Sequence, residues 1–142
     1  MTQEEIDILL KDLCARLPYG VMVREETVLY DNKNTTSYCI KKLSYVHIGK
    51  AFSRIKGFVH DYEYIYKPYL FPLSSMTEEQ KQEYSYIVNY LNPDDTNNWK
   101  EGEFIYVDQM SELMHFFYKN HLDFRGLVKQ DLALDATGLN VY

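Results

Sequence analysis

The stretch Asp61-Tyr62-Glu63-Tyr64-Ile65-Tyr66 alternates tyrosines with charged and aliphatic residues. Successive side chains of a β-strand point to opposite faces, so this pattern predicts a strand over Phe58–Tyr66 whose three tyrosines share one face. Tyrosine is also the outlier of the composition, with 14 residues in a chain of 142. Two interpretations are open: the rings pack within a small sheet, where aromatic residues are common, or they form a binding face.

Shorter β patterns precede this stretch. The segment Val21–Arg24 alternates in polarity, and Val28–Tyr30 would continue that strand or pair with it. Two more strands are expected over Ser37–Leu43 and Tyr45–Ile48. A turn is expected over Asp31–Asn34, because Asn and Asp tolerate left-handed backbone and bond to it through their side chains.

Two prolines are expected to end the β region. Pro68 and Pro72 lack the amide hydrogen that a strand donates, so they predict an extended segment over Lys67–Leu73. About residues 20–70 would then form a small antiparallel sheet or an SH3-like barrel. The sequence leaves these two alternatives open.

The N-terminal segment carries a clear helix signal. Thr2 and Glu5 have the spacing of a capping box, and Pro18 would end the helix. Cys14 is expected on its buried face, and Cys39 in a buried strand position. The apolar residues that define this face recur at helical spacing: Ile6, Leu9, Leu10, Leu13 and Leu17.

Two or three helices are expected in the C-terminal half. Overlapping capping signals predict one over Glu78–Leu91. Asp108 would cap the next helix, preceded by a short strand or lead-in at Phe104–Val107. Asp123 would cap a short third one. The alternation at Leu132 and Leu134 predicts a return to the sheet, so the whole chain, 1–142, is expected to be a single α+β domain.

Composition indicates which class of protein this is and in which cellular compartment it is expected. The chain is 46% hydrophobic and 25% charged, which is typical of a globular domain. It opens with an acidic segment and contains no apolar run of roughly 18 residues, so neither a signal peptide nor a membrane span is expected. Two cysteines make no disulfide framework. A cytoplasmic protein without a cofactor is the expectation.

The charge distribution predicts a candidate binding surface. The net charge is −6, yet no acidic residue lies between Asp31 and Asp61. A basic, aromatic-laced sheet attracts anionic partners, although lysines at a sheet edge can equally guard it against pairing. The residues expected to bind a partner or ligand are Lys41, Lys42, Tyr45, Lys50, Arg54, Lys56, Tyr62, Tyr64 and Tyr66.

Familiar catalytic and metal motifs are missing from the sequence. There is no phosphate-binding glycine loop, nucleophile elbow, zinc-binding helix or Cys-x-x-Cys pair. His115, His121 and Asp123 could converge as a hydrolase or metal site. The alternative is that His115 is exposed, His121 packs at a helix end and Asp123 caps a helix.

Three segments carry a resemblance to a family. They are 11–21, 67–79 and 121–135, the last containing His-Leu-Asp-Phe-Arg-Gly-Leu-Val and then Leu-Ala-Leu-Asp. They resemble short uncharacterised proteins of gut bacteria and of their phages and mobile elements. Phe71 and Asp131 depart from that pattern, where a basic residue and a glycine are usual. The resemblance implies a small intracellular accessory protein and supplies no catalytic residue.

These observations favour a binding protein over an enzyme. The leading hypothesis is a phage-type or mobile-element-type accessory protein that recognises a host protein or sequesters a small anionic ligand. The first alternative is nucleic-acid or nucleotide binding through the basic aromatic β region. The second is a hydrolase with an unfamiliar site.

Overall fold

The fold is described from a computed structural model, which covers residues 1–29, 35–51, 54–55, 61–91 and 102–142. The predicted turn at Asp31–Asn34 lies outside these ranges. The part of the predicted strand Phe58–Tyr66 that precedes residue 61 lies outside them as well. The elements, in chain order, are α1 (Gln3–Arg16), β1 (Met22–Leu29), β2 (Thr35–Lys42), α2 (Tyr45–Lys50), β3 (Arg54–Ile55), β4 (Tyr62–Leu70), α3 (Glu78–Leu91), α4 (Gly102–Lys119) and β5 (Leu134–Asp135).

The sheet confirms the predicted α+β class. Its strands lie in the order β2-β1-β4-β3, and each neighbouring pair is antiparallel. The short β5 runs parallel to the end of β4, with Leu134 opposite Tyr69, so the chain does return to the sheet. Among the described residues, β2 and β3 lie at opposite ends of this order and do not pair. The SH3-like barrel therefore has no support, and the sheet is open.

Helix α1 forms as its sequence predicts. The Glu5 amide donates to Thr2 Oγ1 at 3.2 Å, and the Thr2 amide donates to Glu5 Oε2 at 2.6 Å. Leu9 and Leu13 are fully buried, and the helix ends just before Pro18. Two of the four buried residues of this helix are nevertheless charged: Asp12 and Arg16.

Both cysteines are exposed, which corrects the prediction that they belong to the core. The buried face of α1 runs through Leu9, Asp12, Leu13 and Arg16. Since each residue turns a helix by about 100°, Cys14 lies one step beyond Leu13 and outside that face. Cys39 lies on a strand whose central residues are all exposed.

The segment Tyr45–Ile48 is helical, which corrects the predicted strand. Ser44 has an extended backbone and precedes the first turn of α2. Its amide donates to His47 Nδ1 at 3.0 Å, and the Ile48 amide donates to the Ser44 carbonyl at 3.2 Å. A four-residue run with three apolar or aromatic residues fits one helical turn as well as a strand, and the serine before it decides in favour of the helix.

Strand β4 continues through Pro68 to Leu70, so this proline does not end it as predicted. Pro68 lies opposite Val23 of β1. On the other side of β4, the contact with Ala51 is at Tyr64 and the pairing with β5 begins at Tyr69. Pro68 falls between these two contacts, where the missing amide hydrogen costs no sheet bond on that side.

The C-terminal half contains two long helices. Helix α3 has the predicted bounds, whereas α4 begins at Gly102 and includes Phe104–Val107, predicted as a strand or lead-in. The residues after Asp123 form consecutive turns instead of a short helix. Asp131 has a left-handed backbone with φ of 57°, a conformation that glycine adopts more readily than other residues.

Two groups of buried side chains hold these layers together. The main core joins α1, the sheet and the C-terminal turns through Leu9, Leu13, Val21, Val23, Leu43, Ala51, Tyr66, Leu70, Leu127, Leu132 and Ala133. A second group lies between α3, α4 and the residues that follow, and contains Ile87, Phe116, Phe117 and Leu122. Neither group contains a residue of β2, so this strand lies outside both cores.

Candidate interaction surface at the edge strand

The most accessible part of the sheet is the strand β2, which pairs with β1 on one side and ends the strand order on the other. Four consecutive residues of this strand, Ser37–Ile40, are exposed. Tyr38 is 69% exposed and Ile40 is 48% exposed. We call these four residues and the outer backbone edge of β2 the β2 edge.

The register assigns the side chains of β2 to two faces. Cys39 lies opposite Glu25, and Lys41 lies opposite Val23, so Cys39 and Lys41 share one face. Tyr38 and Ile40 lie on the other face, together with Lys42. The β2 edge thus has a polar face and an apolar face.

Glu25 organises the polar face. Its carboxylate accepts hydrogen bonds from Lys41 Nζ at 2.6 Å and from the Tyr66 hydroxyl at 2.6 Å. The Cys39 thiol donates to the same carboxylate at 3.6 Å. Because these three donors belong to β2 and β4 while Glu25 belongs to β1, the network fastens the edge strand to the two strands behind it.

The electrostatics of this network follow from its contacts. Burial opposes the charge on Glu25, but the hydrogen bonds from Lys41 and Tyr66 outweigh it and hold the pKa of Glu25 below 4.5. The bond to Glu25 raises the pKa of Lys41 above 10.5. Burial first, and the bond to Glu25 second, raise the pKa of the Tyr66 hydroxyl. At neutral pH, Glu25 and Lys41 are therefore a charged pair and Tyr66 is a neutral donor.

His47 of α2 lies against the same network. Its ring is 5.5 Å from the ring of Tyr66. Burial, and then the positive charge of Lys41, lower the pKa of His47 below 6.5, so the ring is neutral at neutral pH. Beside it, Tyr45 is 81% exposed and Val46 is 61% exposed. These two residues extend the exposed apolar area past the end of β2.

The apolar face of the β2 edge is supported from β1. The Arg24 guanidinium lies 5.7 Å from the centre of the Tyr38 ring. Arg24 Nε donates to Glu26 Oε1 at 2.7 Å, and a second bond joins the same two side chains through Nη2. The Arg24–Glu26 pair thereby underlies an exposed aromatic ring next to the exposed Ile40.

The predicted basic residues that the structure describes lie apart from one another. Lys41 is paired with Glu25, while Lys42 lies on the opposite face of β2 and its side chain covers Gly20. Lys50 is exposed at the end of α2. Arg54 belongs to β3 at the far end of the sheet, about 14 Å from β2 at the usual strand spacing. Lys56 lies outside the described residues.

The predicted tyrosines share a face but differ in accessibility. Tyr62, Tyr64 and Tyr66 alternate along β4 as expected. Tyr66 is 1% exposed and belongs to the core, and the other two are half-buried. Of the four tyrosines expected to bind a partner, Tyr45 has the accessibility that direct contact requires. Their role in binding stays a prediction.

Sequence reasoning did not select the residues that define this surface: Tyr38, Cys39, Ile40, Glu25 and His47. A usable signal was present in Ser37-Tyr-Cys-Ile40, which carries no charge within a basic region. What the sequence could not provide is the strand order, which turns this segment into an edge.

The histidines predicted for a hydrolase or metal site have separate environments. The Tyr19 hydroxyl and His115 Nδ1 are 2.9 Å apart in an open cleft between α1 and α4. His121 and Asp123 do not line that cleft. His121 stacks on Tyr142, and Asp123 binds two backbone amides. The hydrolase hypothesis stays a prediction without an assembled site in the described part of the chain.

Two kinds of feature are absent from the described residues. Within them, no group of three His, Cys, Asp or Glu side chains is placed to hold a metal ion. No helix in the same part of the chain is long and apolar enough to cross a membrane. Comparisons with known protein families, with curated proteins and with solved structures give no match, so the β2 edge is interpreted from its geometry.

Proposed function

We propose that this protein is a non-enzymatic binding protein that recognises an extended protein segment by pairing it with the β2 edge. The observation that carries the proposal is the exposure of four consecutive residues, Ser37–Ile40, on a strand that ends the strand order of the described residues. An added strand would take its affinity from backbone hydrogen bonds and its specificity from alternate side chains.

Exposed edge strands are normally protected, since their unpaired backbone groups attract other strands. Charged side chains, prolines and irregular backbone are the usual protection. β2 contains no proline, its pairing with β1 is regular from Ser37 to Lys42 and irregular at Thr36, and its two lysines lie together at its C-terminal end. Lys41 is turned towards Glu25, which leaves the central residues without a nearby guard. An edge of this kind suits a strand that receives a partner.

The surface is also held in place before any partner arrives. The Glu25 carboxylate joins β2 to β4 through Lys41 and Tyr66, with both bonds at 2.6 Å. Binding to a preformed strand costs less conformational entropy than binding that must order a loop. The apolar residues Tyr38 and Ile40 would then contact alternate side chains of the added segment.

This geometry favours a protein segment over the two other partners considered. A nucleic acid needs several free cations on one surface, whereas Lys41 is paired with Glu25 and Lys42 lies on the other face. The net charge of −6 opposes phosphate binding as well. A small anionic ligand would also find few unpaired cations among the described residues of this surface. An extended segment requires only an open edge and apolar contacts.

The test is selection of short peptides from a displayed library on the immobilised protein, followed by affinity measurement for the best binder. Ile40→Lys should weaken that affinity at least about tenfold, because it places a charge where the added strand would pack. Met110→Lys is the matched control, since Met110 is 49% exposed and Ile40 is 48% exposed. A peptide N-methylated at alternate residues should also lose binding, because it cannot donate to the edge.

The result that contradicts the proposal is equal affinity in the wild type, Ile40→Lys and Met110→Lys. A parallel titration with single-stranded DNA and RNA tests the nucleic-acid alternative. Nucleic-acid binding that weakens steeply with salt, together with no peptide binding, would replace the present proposal with that alternative.

A further inference from the structure

We infer that the segment received by the β2 edge is β2 of a second copy of this chain, paired antiparallel about a two-fold axis at Cys39. This inference rests on the proposed function and identifies its partner. It would join the two sheets of the dimer into one continuous sheet. The same patch would be used by both copies, as a two-fold interface requires.

The sequence of β2 complements itself in this register. With Cys39 opposite Cys39 of the second copy, Tyr38 lies opposite Ile40, and this pair occurs twice on the apolar face. Aromatic and β-branched residues directly opposite each other are a favourable cross-strand pair. Lys41 lies opposite Ser37, and Lys42 lies beside the irregularity at Thr36, so no two lysines face each other.

Other symmetric registers complement less well. A two-fold axis perpendicular to the sheet must place some residue opposite itself. With Tyr38 at the axis, Ile40 would face Thr36 and its apolar contact would be lost. With Ile40 at the axis, Lys42 would face Tyr38, and the apolar contact would be reduced to Ile40 against its own copy. The Cys39 register is the one that pairs both exposed apolar side chains, Tyr38 and Ile40, with each other within the regular part of β2.

The polar face allows the same arrangement. Lys41 is already paired with Glu25 of its own chain, so the two lysines bring little uncompensated charge to the new interface. In the Cys39 register, the two Lys41 residues are displaced along the strands by about 13 Å, which is beyond a Debye length at physiological salt.

The interface of the inferred dimer is small. One strand and a few flanking side chains form an interface below about 1,200 Å², the range of transient complexes. The dimer should therefore form reversibly, with dissociation over the micromolar range. That dependence on concentration makes the inference measurable.

The first experiment is sedimentation velocity of the full chain from about 1 to 500 μM, a range that brackets a transient association. The wild type and Met110→Lys should shift from monomer to dimer over the same concentrations. Ile40→Lys and Tyr38→Lys should each require at least about tenfold higher concentration. Thermal unfolding of both lysine variants shows that the monomer is intact, since both side chains are exposed.

The second experiment tests the register in a Cys14→Ser background. Diamide accepts two electrons and two protons from two Cys39 thiols, which leaves a disulfide between the copies and the reduced hydrazine. Cysteines placed directly opposite on a sheet meet the distance requirement. Moving the cysteine, as Cys39→Ser with Ser37→Cys, should lower the rate at least about fivefold, because the two residues 37 would be displaced along the strands.

The outcomes separate the two proposals. Dimerisation lost in Ile40→Lys and kept in Met110→Lys, with fast Cys39 coupling, supports the self-pairing. A monomer at every concentration that still binds a selected peptide through Ile40 overturns the self-pairing and keeps the proposed function. A monomer without Ile40-dependent binding overturns both. A dimer unaffected by Ile40→Lys, or without Cys39 coupling, also overturns the self-pairing.

Discussion

At the scale of single residues, the most consequential contact is the ion pair between Asp12 and Arg16, both fully buried in α1. Arg16 Nε donates to Asp12 Oδ2 at 2.6 Å, and Nη2 donates to the Leu122 carbonyl at 2.8 Å. The guanidinium also lies 5.2 Å from the centre of the Tyr118 ring. These contacts join α1 to the segment after α4, and they compensate charges that burial would otherwise penalise.

Removing one member of this pair should be costly. Asp12→Asn keeps the shape but leaves the Arg16 charge buried without its carboxylate, so the free energy of unfolding should fall by about 3 kcal/mol. Urea titration monitored by circular dichroism measures the change. Asp7→Asn is the control, because Asp7 is an exposed aspartate of the same helix, and it should change stability by less than about 0.5 kcal/mol. Similar small effects from both variants would contradict this account.

At the scale of elements, the turns after α4 are a second example of a buried carboxylate that organises backbone. Asp123 accepts hydrogen bonds from the amides of Leu127 at 2.8 Å and Val128 at 2.9 Å. Its own amide donates to the Phe71 carbonyl at 2.8 Å. Asp123 was expected to cap a helix, and it performs the same chemistry for turns that bring Leu127 into the core.

Loss of this carboxylate should loosen the segment. Asp123→Ala removes two charge-assisted bonds to buried amides, so it should lower the free energy of unfolding by about 2 kcal/mol. Hydrogen exchange at Leu127 and Val128 should become faster in the same variant. Asp135→Ala is the control, because Asp135 is exposed and binds the single amide of Thr137. If hydrogen exchange at Leu127 and Val128 is equally slow in Asp123→Ala and Asp135→Ala, Asp123 does not hold the segment.

At the scale of the whole molecule, the contacts around His121 connect the sheet to the C-terminal segment. The His121 carbonyl accepts from the Phe71 amide at 2.9 Å, and its ring stacks on Tyr142 with centres 4.1 Å apart. The Tyr142 hydroxyl donates to the Tyr69 carbonyl at 2.5 Å. Burial, and then the positive charge of Arg16, lower the pKa of His121 from 6.5 to about 4.

Global stability should therefore depend on pH. A histidine with a lowered pKa favours the fold while it is neutral, so its contribution is complete above pH 6.5 and is lost as the pH falls towards about 4. In His121→Asn, which tolerates the positive φ of 52° and does not titrate, the unfolding free energy should fall less over that interval. Identical profiles for the wild type and His121→Asn would contradict the assignment.

Much of the fold could be predicted from local sequence. The Thr2–Glu5 capping box fixed the start of α1, and the alternation at Tyr62, Tyr64 and Tyr66 identified β4. The errors at Pro68 and Cys14 occur where the surroundings of a residue in the fold outweigh the pattern of its neighbours, whereas the error at Tyr45–Ile48 arose from a local cap at Ser44. Pro68 stays in a strand since the strand contacts beside it leave that position free, and Cys14 is exposed since an ion pair shares the buried face of α1.

The sequence by itself determined the α+β class, the helix start signals and the positions that alternate along the strands. Tertiary structure alone decided which strand is the edge and that the charge of Lys41 is paired with that of Glu25. It also decided that Tyr66 is buried while Tyr38 is exposed. The physical reason is the separation along the chain of the residues that make each kind of contact. Capping and alternation act within a few residues, whereas strand order and ion pairing join residues far apart in the chain, and the candidate surface depends on the second kind of contact.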